Sequence, residues 1–132
     1  MQDFIKENNL SKDVKILNFQ KNPYKFIIKA DVLVLTSKFE GLPNVLLEAL
    51  SLKKFVISSN CPTGPKEILG NGKYGLLFKV GEYKKLSEKI IDYSINKRKY
   101  NKMILEGYIS LHRFNFKKNC HKYFKLLKTS LI

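Results

Sequence analysis

Asp31-Val32-Leu33-Val34-Leu35 puts four consecutive apolar residues behind one acid, and a second such run follows at Phe55-Val56-Ile57-Ser58. Neither run alternates with polar residues as a half-exposed strand does. Both are of the kind buried on two faces, and a parallel sheet is their natural host. Between them Gly41-Leu42-Pro43 breaks the chain and starts a helix through about Leu52, with Pro43 near the first helical position, where a missing N–H costs nothing.

The flanking sequence repeats this alternation. Phe4, Ile5 and Leu10 fit the end of a helix, Val14-Lys15-Ile16-Leu17-Asn18-Phe19 reads as a strand, and Asn22-Pro23 opens a short helix through Ile28. Gly64 is expected to cap a helix with Pro65 at its first position and Glu67 in its first turn, and Gly70, Gly72 and Gly75 punctuate the turn before strand Leu76-Leu77-Phe78. Tyr83, Leu86, Ile90 and Tyr93 then form a helical stripe. A last helix over roughly 115–128 places Phe116, Cys120, Tyr123, Phe124 and Leu127 on one face, with Lys118, Lys122 and Lys125 on the other. Strand and helix alternate four times before an all-helical tail, which predicts an α/β fold: a Rossmann-like, doubly wound parallel sheet with flanking helices. Residues 1–96 are expected to form the sheet-bearing part and 97–132 a helical tail of the same domain.

The 132 residues set the prior at one domain, and the formal charge of +14 tempts one toward nucleic acid or an anionic membrane as partner. Arginine occurs only at Arg98 and Arg113, however, and no reader motif is present, so no nucleic acid is expected. Cys61 and Cys120 lie far apart without a Cys-x-x-Cys or Cys/His cluster, and His112 and His121 do not complete one; neither a disulfide framework nor a zinc site is implied. No apolar signal core opens the chain and no stretch approaches the ~18 apolar residues of a span. A cytoplasmic protein is expected, peripheral on the inner face of the membrane if the basic helices meet anionic lipid.

In open α/β sheets ligands lie beyond the carboxyl ends of the strands. After Leu35 comes Thr36-Ser37-Lys38-Phe39-Glu40-Gly41-Leu42-Pro43-Asn44, leading into a helix whose free N–H groups and partial positive charge suit an anion. Glu40 stands just before that helix, and Glu48 lies on it about 6 to 9 Å from its start. One phosphate-bearing ligand can thus meet the helix dipole and two carboxylates, which make strong charge-assisted hydrogen bonds to sugar hydroxyls. No Gly-x-Gly-x-x-Gly follows any strand, which disfavours a dinucleotide.

Phe39-Glu40-Gly41-Leu42-Pro43-Asn44-Val45-Leu46-Leu47-Glu48-Ala49-Leu50 resembles the Glu-x7-Glu segment of the retaining glycosyltransferases of the GT-B fold, family 4 (group 1). Ser59-Asn60-Cys61-Pro62-Thr63-Gly64-Pro65-Lys66-Glu67-Ile68-Leu69 resembles the loop that follows one strand later, and the segments Phe19–Tyr24 and Ala30–Ser37 sit at the family's spacing. The likeness runs from about Asn18 to Gly81, with a looser echo in Arg113-Phe114 and Tyr123.

That resemblance implies the incomplete C-terminal half of a GT-B fold, the part that binds a nucleotide-sugar donor, UDP-sugar above all. Glu40 would be the catalytic-site carboxylate and, with the backbone of Gly41, Leu42 and Pro43, would hold the donor sugar. Asn44 and Val45 at the helix start would face the diphosphate, Glu48 would bind the ribose, and the loop of Phe19 and Gln20 would border the base. Glu67 is either a sugar contact or a helix cap. Transfer of a hexose or N-acetylhexosamine with retention, without metal or cofactor, to a cell-surface glycan or lipid-linked acceptor is implied, as in lipopolysaccharide or capsule biosynthesis. The family's acceptor-binding N-terminal domain and its basic diphosphate clamp have no counterpart here, so the chain is expected to be a fragment that is inactive alone and needs that domain or a separate chain.

Three readings stand open for the tail, whose residues 97–128 carry ten basic side chains against Glu106 alone. It packs across a domain boundary, it is an ordinary surface helix, or it makes a basic remnant into a membrane-surface or partner-binding module.

Overall fold

A computed structural model describes residues 1–130. Helices α1 (Gln2–Glu7) and α2 (Tyr24–Ile27) precede strand β1 (Val32–Leu35), followed by α3 (Asn44–Ser51), β2 (Phe55–Ser59), α4 (Pro65–Ile68) and β3 (Leu76–Phe78). Helices α5 (Tyr83–Ile95), α6 (Asn101–Ser110) and α7 (Phe116–Ser130) complete the chain, with short 3-10 turns at Lys97–Tyr100 and Leu111–Phe114. The three strands are parallel in the order β1-β2-β3, with Val32 opposite Phe55 and Ile57 opposite Leu76.

Successive strand residues face opposite sides of a sheet, so the apolar runs feed two cores at once. Leu33, Leu35, Val56 and Leu77 pack with Ile27, Leu46, Ala49, Leu50, Ile68 and Leu69 on the face covered by α2, α3 and α4. Val32, Val34, Phe55, Ile57, Leu76 and Phe78 pack with Leu86, Ile90, Tyr93 and Tyr100 on the other. There the Phe55 and Tyr93 rings stack with centroids 4.1 Å apart, and Tyr100 closes the cluster at 4.6 Å from Phe55. The helical segment after residue 96 is thereby built into the body as far as Phe114. Lys97 pairs with Asp31 at 2.6 Å, Gly107 backs onto Leu50 and Tyr74, and Arg113 donates to the carbonyls of Glu67 and Ile68 at the end of α4.

Two sequence expectations are corrected. Residues 14–19 form no strand: residues 15–22 make no backbone–backbone hydrogen bond among the described residues, and Val14, Ile16, Leu17 and Phe19 are exposed. A strand exists only by pairing its N–H and C=O groups with a neighbour, and no sheet edge meets this segment. The sheet therefore alternates through three strands, not four. Nor is the 32–35 run buried on both faces: β2 is fully buried along its length, whereas β1 is half-buried throughout, because only one of its edges is paired.

Candidate functional site

Parallel pairing brings the carboxyl ends of all three strands to one edge, and with them the loops Thr36–Pro43 and Asn60–Gly64. The two loops are stitched together. Ser59 Oγ, fully buried at the end of β2, donates to the Ser37 carbonyl at 2.6 Å, and Thr63 Oγ1 donates to the Glu40 carbonyl. Gly64 sits at φ +81°, where a side chain is strained, and a Cβ there would lie 2.0 Å from the Gly41 oxygen and 2.6 Å from Pro43. Only glycine lets the second loop press this closely on the first. Gly64 also caps α4 with Pro65 at the first helical position, as its sequence predicts.

The stitching fixes what precedes α3. The Glu40 carboxylate is half-buried and accepts a 2.6 Å hydrogen bond from Ser37 Oγ, which orients it without neutralising it. A Cβ on Gly41 would meet nothing within 4 Å, so the space before this loop is open. Pro43 is extended (φ −70°, ψ 99°) and caps α3 at the N-cap, one position ahead of the helix proper, with no side-chain bond to the first turn. The first turn's N–H of Leu46 reaches back to Pro43, while those of Asn44 and Val45 have no partner among the described residues. Such a helix start presents donors and partial positive charge outward.

Glu48 lies one turn further on. It is half-buried among Leu46, Leu47, Ala49 and Leu50, and its carboxylate has no hydrogen-bond or ion-pair partner among the described residues. Leu42, Asn44 and Leu47 open onto a pocket of about 420 Å³ whose far wall is Phe114, Phe116, Asn119, Cys120 and Tyr123. Glu67 is exposed and makes no cap bond. It lines a second pocket of about 510 Å³ with Thr63, Lys66 and Arg113, on the outer side of the stitched loops. Cys61 is buried against the loop with Sγ 3.8 Å from the Thr63 carbonyl, a packing position.

Structure thus brings Glu40, Gly41, Leu42, Pro43, Asn44, Val45 and Glu48 together along one loop and helix start. Phe19 and Gln20 lie apart from that hydrogen-bonded set: the Phe19 ring is 92% exposed, and Gln20 donates only to the Asn18 carbonyl. Sequence reasoning missed Ser37, Ser59 and Thr63, which hold the two loops in register. Residue type gives no signal for them, since their bonds depend on how the two strands are registered.

The family "Glycosyl transferases group 1" matches residues 1–110. The uncharacterized glycosyltransferase MJ1059 of Methanocaldococcus jannaschii is 44% identical over an alignment that takes in 60% of this chain and 23% of that protein. The N-acetylgalactosamine-N,N'-diacetylbacillosaminyl-diphospho-undecaprenol 4-alpha-N-acetylgalactosaminyltransferase of Campylobacter jejuni is 40% identical over 58% of this chain and 21% of its own length. Among solved structures, Anabaena Alr3699/HepE in complex with UDP superposes with a TM-score of 0.87 at 22% identity, covering 97% of this chain and 35% of that one. The chain spans less than a quarter of the length of these two curated relatives, and the likeness to the Anabaena protein extends the Rossmann-like fold over nearly all of it.

Proposed function

The chain belongs to the glycosyl transferases group 1, and on that premise we propose that it is the donor-binding part of a retaining, metal-independent glycosyltransferase of family 4. The observation that carries this reading is the pair of half-buried carboxylates, Glu40 and Glu48, set on either side of an α3 start whose first N–H groups are free. A nucleotide-sugar is the ligand that asks for this combination, a diphosphate between two sets of hydroxyls. Asn44 and Val45 donate their backbone N–H groups to the diphosphate. Glu40, aimed by Ser37, accepts from hydroxyls of the transferred sugar, and Glu48 from those of the ribose. Gly41 and Leu42 give the sugar room against the backbone, with Phe19 and Gln20 bordering the base and Glu67 contacting the sugar.

During transfer the bond between the sugar's anomeric carbon and the diphosphate breaks, and negative charge grows on the leaving oxygen. A preorganised helix start stabilises that charge without rearrangement. The acceptor, a glycan or a lipid-linked sugar, is held by an acceptor domain or separate chain opposite this face. UDP is the favoured nucleotide, consistent with the neighbour whose complex contains UDP and a second with UDP-glucose.

Calorimetric titration with UDP, UDP-glucose and GDP tests the reading. Weak UDP binding is expected, and Glu48→Gln is expected to lower the affinity about tenfold by removing charge-assisted hydrogen bonds. Equal affinity in variant and parent would overturn the assigned ribose contact.

A further inference from the structure

Glu40 stands on an open loop. Phe39 beside it is 80% exposed, and a Cβ on Gly41 would meet nothing within 4 Å. A glutamate in such a place turns freely about its side-chain bonds, and a ligand that captures it must remove that freedom. Here the carboxylate is already held. Ser37 Oγ donates to Glu40 Oε1 at 2.6 Å, the one side-chain bond of this carboxylate among the described residues, and Thr63 Oγ1 donates to the Glu40 carbonyl. Ser37 is fixed in turn. Its carbonyl accepts from Ser59 Oγ at 2.6 Å, and Ser59, fully buried, is the last residue of β2 and lies opposite Phe78 of β3. A run of contacts thus leads from the middle strand of the sheet through Ser37 to one carboxylate oxygen. Glu48 has no such support: it is placed by the backbone of α3, and no side chain bonds its carboxylate among the described residues.

We propose that Ser37 is a positioning residue that gives the site its affinity for the sugar of the donor as distinct from the nucleotide. The inference rests on the donor-binding reading above and deepens it, because it assigns the two ends of the donor to separate supports. By holding Oε1, the serine hydroxyl keeps Oε2 in one orientation as the acceptor for a hydroxyl of the transferred sugar, and it does so without neutralising the charge. An acceptor oriented beforehand binds with less loss of freedom than one the ligand must capture. Diphosphate and ribose gain nothing from this, since the N–H groups of Asn44 and Val45 and the Glu48 carboxylate make no contact with the Ser37 hydroxyl. The two bonds that stitch the loops end on the backbone carbonyls of Ser37 and Glu40, so removing the Ser37 hydroxyl leaves both in place. A serine that merely shaped the loop would affect nucleotide and sugar alike.

Calorimetric titration of the full chain compares UDP with UDP-glucose and UDP-N-acetylglucosamine, the one of these two bound more tightly serving as the probe. In Ser37→Ala the affinity for UDP is expected to stay within about twofold of the parent, while that for the UDP-sugar falls about fivefold, roughly the effect of one hydrogen bond. In a Glu40→Ala background the same substitution is expected to change UDP-sugar affinity by less than about twofold, because the hydroxyl acts only through the carboxylate. Unchanged UDP-sugar affinity in Ser37→Ala overturns the proposal. So does an equal fall for UDP and UDP-sugar, which would leave Ser37 a structural role alone, and so does a full additional loss in the Glu40→Ala background. Absence of UDP binding by the parent overturns the donor-binding reading itself, whereas UDP binding with a sugar preference that ignores Ser37 overturns this proposal alone.

Discussion

Helices α3 and α7 each carry an apolar stripe, and the two stripes meet opposite fates. In α3, Leu46, Ala49 and Leu50 are fully buried against Ile27, Val56, Ile68 and Leu69. In α7, a longer stripe of larger side chains remains in solvent. The difference lies in composition, with five lysines in the fifteen residues of α7 and none in α3, and in what the neighbouring chain supplies. The run before α3 and the run after it are adjacent parallel strands, so α3 must lie across the sheet they form, and its stripe has a floor. After Phe114 the start of α7 meets Leu42, Asn44, Leu47 and Phe114 across an open pocket, and the rest of its stripe has no such floor among the described residues.

The sharpest way to break this contrast is in α3. Leu46→Ala leaves a cavity between the sheet and α4 and is expected to cost about 2–5 kcal/mol, read as a lowered urea midpoint. A loss below about 1 kcal/mol would mean that α3 is held no more firmly than α7. Gly64→Ala comes next. The positive φ alone is expected to cost about 1–3 kcal/mol, and the added Cβ must push the Gly41 carbonyl away. That displacement unstitches the loop before α3, so UDP affinity should fall together with the urea midpoint. Thr63→Val, which removes only the bond to the Glu40 carbonyl, should do the same more mildly, by about 1 kcal/mol.

Much of this frame was readable in advance, and the failures have a common cause. The runs at 32–35 and 55–58, the Gly64-Pro65 helix start and the stripe of Leu86, Ile90 and Tyr93 were all legible, because each is a local pattern whose partner lies within the chain. Val14–Phe19 carries an equally good strand pattern, yet a strand needs a paired neighbour and this segment pairs with none among the described residues. The half-burial of β1 is the same fact seen from the sheet. Within the candidate site, Glu48 was legible as a charge on an apolar helix and Glu40 as a loop carboxylate just before it. Ser37, Ser59 and Thr63 were not, because a hydroxyl's bond across two loops depends on strand register, which residue type does not encode.

The boundary between body and tail can be sharpened with pH. Hydrogen bonds donated by Tyr100, then Asn96 and Lys99, hold the Asp92 carboxyl down to about 2, and Tyr100 is the side chain that seals the tail's first turn onto Phe55. A carboxyl depressed in the folded state adds stability that is full above its unfolded pKa of about 3.9 and is lost as pH falls through the folded value. The urea midpoint of the parent should therefore exceed that of Asp92→Asn at pH 6, and the gap should close between about pH 4 and 2. A gap that persists at pH 2 would assign the difference to packing instead.

The smallest expected effect is the other half of the opening contrast. Phe124→Ala removes more carbon than Leu46→Ala, and by residue size alone it should cost more. Its ring is already 58% exposed and touches Lys128 on its own helix, at 4.8 Å from ammonium to centroid. Truncation thus opens no cavity and returns to water almost nothing that was withdrawn from it, and the change in stability should stay within about 0.5 kcal/mol. A loss of about 2 kcal/mol or more would place the α7 stripe against the body in solution.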